Sequence, residues 1–496
     1  MDVHVTLSER GDLTAQIYRQ LLEAVLDGRL RSGERLPPTR ELARRLDVSR
    51  NTVAVAYDRL VADGFLVGRA GAGTFVSAEP VRGRAAPKGV VRPRAVWEDI
   101  TGPTASVSPT PGTNRPDAPY IPGTAHPDAP YGSRARRAAY DFRVGVPDAG
   151  LFPMESWRRL VSRELRRGAG GYGDPSGHEG LREAIARHIG VSRSVRAGAG
   201  DVLITNGAQQ ALDLVGRVLI EPGACVAVEE PGYPPARLLF RSLGARVVGV
   251  PVDGEGLDVS ALPGAARLVY VTPSHQFPLG TPMSLGRRAA LLAWAERRNA
   301  VVIEDDYDSE FRFGERPLEP LQSLDRAGRV IYVGSFSKTL LPMLRLGFLV
   351  APASLGPALT AAKRISDWHG ELPTQAALAR FIDEGLLARH IRKATRVYAA
   401  RHALIADTLS GEDRLRVVPS AAGLHLCARL APGVTVRQRP GLGVERLDAY
   451  CGESPAQPGL VIGYGAIEQS AIPGGLELLR RSLIVPATPE PPAPLT

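Results

Sequence analysis

At 496 residues with 44% apolar content, the chain has room for about three globular domains. No apolar run approaches the roughly 18 residues that a membrane helix requires. Met1–Val5 carry neither a basic nor an apolar export segment, so a soluble cytoplasmic protein with no membrane partner is expected. The net charge of +9 is unevenly placed: residues 1–79 balance 11 Arg against 11 acids, while residues 80–140 set 9 Lys+Arg against 4 acids. A basic stretch of that kind adds sequence-independent attraction to phosphate backbones, or is simply solvated.

In chain order, the spacing of Ile17, Leu21, Leu22 and Val25 predicts a helix over about 14–27, ended by Gly28. Thr39 can cap a short helix through Leu46, with Arg40 and Glu41 in its first turn. Ser49 can cap a third helix through about Asp63, burying Val53, Tyr57 and Leu60, and Gly64 stops it. The alternation around glycines over 65–76 predicts a two-stranded wing. Residues 79–139 are rich in Pro, Gly, Ala and Arg, and Pro116–Tyr120 recurs as Pro127–Tyr131, which is too little for a repeat fold. From Asp141 the pattern is α/β. Strands are expected at 202–205, 225–228, 246–250, 268–272, 301–304, 330–334 and 346–350, with helices such as 209–219 and 286–298 between them. Residues from about 373 to 485 read as a smaller α+β unit, and 486–496 as a proline-rich tail. The expected division is 1–78, a linker over 79–139, 140–485, and the tail.

Two groups of residues carry chemistry. Helix, turn, capped helix and wing follow the order of a winged helix-turn-helix, whose second helix presents its N-terminal residues to base edges. Arg50, Asn51 and Thr52 fall there, and arginine suits guanine as asparagine suits adenine. The bland alternative is a protein-binding winged helix with solvated arginines. Over the whole chain, only four of the 61 Lys+Arg residues are lysines: Lys88, Lys338, Lys363 and Lys393. Where arginine serves wherever charge suffices, a retained lysine points to an amine that must lose its proton and attack a carbonyl. Lys338, in Gly334–Thr339, follows a strand end. Ser335, Ser337 and Arg345 lie close by in sequence and can bind phosphate. Asn206–Gln210 opens a helix after a strand, so the amides of Ala208 and Gln209 can cradle a phosphate. The strand at 301–304 runs into Asp305, Asp306 and Tyr307, and its alternation does not decide between the two aspartates. The three cysteines (Cys225, Cys427, Cys451) are far apart and odd in number, which suggests reduced thiols and no metal site.

The stretch Thr14–Val76 resembles the GntR-type winged-helix domain through Leu36–Leu42, Val48–Val53 and Asp63–Leu66. That likeness implies double-stranded operator DNA as partner. It adds Arg40 to the DNA-contacting set and places Arg69 and the Gly71/Gly73 turn at the minor groove. Residues 141–485 resemble the fold-type-I aminotransferases, which implies pyridoxal 5'-phosphate (PLP) as cofactor. By that resemblance Lys338 is the catalytic lysine that holds PLP, Asp305 the partner of its pyridinium nitrogen and Tyr307 the donor to its ring hydroxyl. Tyr233 stacks on the ring, and Gln276, in Ser274–Gly280, takes the role of the usual asparagine. Tyr172, in Tyr172–Gly177, would cross to the neighbouring subunit's phosphate. The joined architecture is similar to the MocR/GabR regulators, with Ser274–Gln276 and Glu304–Phe311 typical of them. This implies a homodimer, head-to-tail, that binds PLP and in some members an amino compound.

The likeness thins at Val461, which stands where aminotransferases place the arginine for a substrate carboxylate; Arg446 is the nearby alternative. Three functions are open at this level. The first is a PLP-sensing transcription regulator of vitamin B6, amine or amino-acid genes. The second is a working aminotransferase that keeps a DNA-binding head. The third is a DNA-binding protein whose body is only a dimerisation scaffold. Val461 weighs against the second, and the full PLP set against the third.

Overall fold

The computed structural model describes residues 6–7, 12–26, 29–31, 33–69, 72–77, 138–167, 170–313, 319–452 and 457–485. Gly71, nearly all of the linker and the tail lie outside these residues. The chain divides into an N-terminal unit within 1–92 and a second within 93–496, described separately.

In the N-terminal unit, α1 (Leu13–Leu26), α2 (Thr39–Arg45) and α3 (Arg50–Ala62) precede an antiparallel pair, β1 (Leu66–Arg69) and β2 (Gly73–Val76). Ile17, Leu21 and Val25 of α1 pack with Leu42, Val53, Tyr57, Leu60, Leu66 and Val76, so helical spacing and strand ends converge on one core. Leu22 is only partly buried at its edge. The Ser49 hydroxyl caps α3 by accepting from the Thr52 amide at 3.1 Å. The cap expected at Thr39 is displaced by one residue. Pro38 occupies the N-cap position with no side-chain hydrogen bond, and Thr39 is already helical. Proline's fixed φ suits that entry, so no hydroxyl is needed. Between α2 and α3, Asp47 adopts a left-handed φ of 52°, which turns the chain sharply.

The second unit is built on an eight-stranded sheet. After β3 (Tyr140–Asp141) come β4 (Val202–Thr205), β5 (Cys225–Glu230), β6 (Arg246–Asp253), β7 (Gly256–Leu257), β8 (Ala266–Val271), β9 (Val301–Asp306), β10 (Val330–Ser335) and β11 (Gly347–Val350). The order is β4-β11-β10-β9-β8-β5-β6-β7. From β10 to β6 the pairings are parallel, and β11 runs antiparallel to both its neighbours. Every residue of β5 and β10 is buried, as parallel strands covered on both faces must be. One face packs under the helices Ala208–Leu219 and Pro234–Ser242. The opposite face is covered partly by Glu179–Arg193 and partly by Leu285–Arg298.

A smaller sheet follows: β12 (Leu415–Val417), β13 (His425–Leu430), β14 (Glu445–Arg446) and β15 (Gly459–Gly463), ordered β12-β13-β15-β14. The long helix Leu386–Ser410 and the helix Ile472–Arg480 cover one face of it. Its composition differs from the expected 373–485 in two ways. The helix Leu372–Asp383 packs instead on Met154–Arg167 and Glu179–Arg193, because Leu378 and Phe381 bury against Trp157, Leu181 and Ile185. The residues around 140–144 join the small unit: β3 pairs with Leu442–Gly443, and Phe142 enters its core. Among the described residues no helix is long and apolar enough to cross a membrane.

Candidate functional site

The carboxyl ends of β4, β5, β8, β9 and β10 open on one crevice, where open α/β sheets place their ligands. Lys338 follows β10, and its Nζ donates to the Gly145 carbonyl at 2.6 Å. Gly145 has φ 76°, and a Cβ there would lie 2.7 Å from Nζ, so this close approach requires glycine. Desolvation lowers the Lys338 pKa against the pull of Asp308 and Asp305, which favours the neutral, nucleophilic amine.

The two aspartates at the end of β9 point to opposite faces. Asp306 lies on the face under Glu179–Arg193, where its Oδ2 accepts from Arg193 Nε at 2.8 Å and from the Tyr332 hydroxyl at 2.6 Å. Burial alone would raise its pKa, but Arg193 and Tyr332 hold it below the ordinary value. Asp305 lies on the face of the helix Ala208–Leu219. Its Oδ2 accepts from the Tyr270 hydroxyl at 2.8 Å, and its buried Oδ1 has no partner among the described residues. Burial pushes its pKa up to about 7. Asp306 also has a buried oxygen without a partner. Its charge, however, is matched by Arg193, whereas that of Asp305 is not matched by any adjacent guanidinium.

An anion cradle adjoins this pair. Gly207, at φ 79°, precedes the helix Ala208–Leu219 and turns the amides of Ala208 and Gln209 toward the crevice at its N-terminus. Arg345 holds a left-handed φ of 51°, and its guanidinium donates to the Asn206 carbonyl at 2.8 Å. A Cβ on Gly207 would lie 2.8 Å from that guanidinium. Ser335 Oγ accepts from the Ser337 amide at 3.1 Å, which shapes the turn into Lys338. The charges of Arg345 and Lys338 are close enough to oppose each other, and Tyr233 feels both Asp305 and Arg345. Lys338, Asp305, Arg345 and Tyr233 therefore border one space. The Tyr233 ring stands edge-on to Phe277 at 5.6 Å.

Tyr307 does not stand alone. Its hydroxyl is 3.0 Å from His275 Nδ1, which also lies 3.1 Å from both Asp308 oxygens, and His275 Nε2 is 3.0 Å from Ser420 Oγ. His425 brings a third ligand-type atom within 4.8 Å of this pair. Hydrogen bonds occupy both His275 nitrogens and join His425 Nε2 to the Pro278 carbonyl at 3.2 Å, so the cluster is a bonded polar network. Gln276 departs from its expected role. Its Nε2 donates to Pro231 O at 2.9 Å, Phe277 O at 2.7 Å and Glu229 Oε2 at 3.2 Å, and its Oε1 accepts from the Leu279 amide at 3.0 Å. That amide is consumed in holding the turn, so the reach to a cofactor hydroxyl is not supported. Tyr172 is 86% exposed and rests on Trp368 at 5.4 Å between ring centres.

In the N-terminal unit, Arg50 and Asn51 begin α3 and are exposed, as is Arg40 in the first turn of α2. Thr52 is partly buried, and its hydroxyl lies 2.7 Å from that of Ser49, so it serves the cap. Arg69, at the end of β1, stacks over Phe75 at 5.0 Å.

Residues 13–76 match the model of the bacterial regulatory proteins of the gntR family, and residues 140–438 that of aminotransferase class I and II. The probable rhizopine catabolism regulatory protein MocR of Rhizobium meliloti is 38% identical over 485 residues, 95% of this chain and 93% of that protein. The pyridoxine biosynthesis transcriptional regulator PdxR of Corynebacterium glutamicum is 31% identical, covering 94% of each chain. This chain belongs to the MocR-type regulators. Its body has the aminotransferase fold. The α-aminoadipate aminotransferase LysN of Thermus thermophilus, solved with N-(5'-phosphopyridoxyl)-L-leucine, superposes with a TM-score of 0.63 and 31% identity over 69% of this chain and 92% of its own.

In this MocR-type chain Val461 is fully buried beside Val144, Phe277, Cys427 and Tyr450, and its register partner is the buried Glu445, whose carboxylate accepts from the Val144 amide at 2.8 Å. Arg446 is bound to Asp448 at 2.6 Å and is largely solvated. Several contributors escaped sequence reasoning: Gly145, Tyr270, the Arg193 partner of Asp306, and the His275–Asp308 pair. The last was signalled only by the two motifs that contain it. Glu229 belongs with them: it is buried against Thr272 Oγ1 at 2.5 Å, and burial raises its pKa to about 7.

Proposed function

We propose that this chain is a cytoplasmic transcription regulator whose winged helix binds operator DNA and whose body holds PLP as its sensor. The residues fit the cofactor. Lys338 offers an amine whose pKa burial lowers, and Asp305 offers a carboxylate with no guanidinium partner among the described residues for a pyridinium nitrogen. Arg345, Ser335, Ser337 and the amides of Ala208 and Gln209 offer donors for a phosphate. Tyr233 supplies a ring face, and the Tyr307 hydroxyl, steadied by His275 and Asp308, a donor for the ring oxygen. PLP bound there supplies an electrophilic carbon that a primary amine can capture, which lets the body answer to PLP itself or to an amino compound. Burial lowers the Lys338 pKa and so favours release of its proton, Tyr270 orients Asp305, and the Gly207 turn admits the phosphate next to Arg345.

The observation that carries this reading is the pairing of Asp305 Oδ1, buried and unpartnered, with Lys338 across the same crevice. A change in the body then shifts the two heads of a head-to-tail homodimer, in which Tyr172 reaches the partner's phosphate, and half-site spacing selects the operator. Vitamin B6, amine or amino-acid genes are the proposed targets, and the name of the pyridoxine biosynthesis regulator PdxR supports the first of these. An aminotransferase role is second, because the buried Val461 stands where a substrate carboxylate needs a cation, with the Glu445 carboxylate opposite it.

Visible absorbance of the chain with added PLP tests the site. A visible band that is lost on borohydride reduction, which leaves the cofactor covalently attached in the wild type, and that is absent in Lys338→Ala is the expected result. An identical band in the variant would overturn the assignment.

A further inference from the structure

A cavity of about 450 Å³ lies apart from the crevice, between the large and small sheets of the body. One wall is the β6–β7 turn at Asp253–Gly254 together with Leu279, Thr281 and Pro282. The other is β12 and the residues after it, with Arg429 of β13. Its size falls in the range of roughly 300–1,000 Å³ typical of small-ligand sites.

The placement of two arginines sets this cavity apart. Side chains of β13 alternate, so His425, Cys427 and Arg429 share one face. Cys427 is buried on that face against Val252, Leu279 and Val461, and His425 meets the Pro278 carbonyl. Arg429 therefore faces the large unit and not the helices behind the small sheet. Arg416 pairs directly with Arg429 in register. Leu415 packs to the opposite side, and Arg416, exposed on its strand, lines the cavity with Val417. Both arginines are exposed at the mouth of the cavity, where solvent screens but does not cancel the repulsion of like charges placed directly opposite on antiparallel strands. Neither guanidinium has a hydrogen-bond or ion-pair partner among the described residues. The one carboxylate in the wall, Asp253, is bound to Arg287 at 2.9 Å. Leu279, Pro282, Val418 and Pro419 complete an apolar lining.

We propose that this cavity binds a small organic dianion, a short dicarboxylate, with Arg416 and Arg429 on its carboxylates and its carbon chain on the apolar lining. Such a ligand bridges the two sheets and fixes their separation, so it acts as an effector at a site apart from the PLP crevice. The assignment does not depend on PLP binding.

The test is adipate binding to the full chain at fixed ionic strength, followed by calorimetry and by melting temperature. It compares wild type, Arg416→Ala/Arg429→Ala and Arg345→Ala. Adipate should raise the melting temperature of the wild type, and the double substitution should weaken binding at least about tenfold. Arg345→Ala, which alters only the phosphate cradle, should bind as the wild type does. Without adipate the double variant should melt no lower than the wild type, since a repulsive pair has been removed. Absence of binding, equal binding by the double variant, or loss of binding in Arg345→Ala would each overturn the proposal. So would a lower melting temperature of the double variant without ligand, because the arginines would then have structural partners.

Discussion

The winged helix and the body place their working residues in opposite ways. In the head, Arg40, Arg50, Asn51 and Arg69 are exposed on a small apolar core, and their chemistry depends on charge held outward by caps and turns. In the body, Asp305, Asp306, Glu229 and His275 are buried at strand ends, and their chemistry depends on which of them the protein leaves unmatched. Surface contacts to DNA can be removed with little effect on folding. Buried polar groups cannot, because each is coupled to stability through desolvation. Substitutions of the buried polar groups of the body should therefore move stability and cofactor binding together, and substitutions of the exposed residues of the head should move DNA affinity alone.

The largest effect is expected from Lys338→Ala, which should abolish covalent PLP capture while leaving affinity for DNA without PLP intact. Spectra and DNA titrations on the same preparation check both halves. Asp305→Asn should weaken PLP binding and, in the cofactor-free chain, raise stability. Native Asp305 keeps its proton up to about pH 7, whereas its ordinary value is 3.8. The folded state therefore binds more protons between these values, and the cost of the charged form is absent near pH 4 and complete above pH 7. The variant should be on the order of 1–3 kcal/mol more stable than the wild type at pH 8, with the gap closing toward pH 4. Urea unfolding at both pH values measures it, and a less stable variant at pH 8 would contradict the burial of an unmatched charge.

Arg50→Ala should cost about 1–3 kcal/mol of operator binding with an unchanged PLP spectrum. A spectral change would break the proposed separation of head from body. Gly145→Ala puts a side chain at φ 76° against the Lys338 amine. A loss of about 1–2 kcal/mol of stability together with impaired PLP capture is expected. The smallest effect is that of Ser49→Ala, about 1 kcal/mol through the lost α3 cap, measured by thermal unfolding.

Much of this was legible in the residues. Helical spacing marked α1 and α3, Gly64 marked the end of α3 whereas Gly28 lies outside the described residues, and β4 fell at 202–205 as expected because Asn206–Gly207 ends it. Local signals failed where the outcome depended on a distant partner. The alternation of β9 shows that Asp305 and Asp306 face opposite ways, but not which face carries Arg193 and which the phosphate cradle. The break near 373 is real in sequence, yet the helix Leu372–Asp383 follows Trp157 and Ile185, which precede it by about two hundred residues. Gln276 sits in a suggestive motif, but its amide is claimed by the carbonyls of Pro231 and Phe277. Gly145 is one of 53 glycines, and nothing local distinguishes it. Only the Lys338 amine beside it does.

The most direct measurement is a genome-wide footprint of the full chain, with and without PLP, for wild type and Lys338→Ala. A PLP sensor requires that PLP alter occupancy or footprint length for the wild type and not for the variant. A PLP response equal in both, or absent from the wild type, would contradict the account.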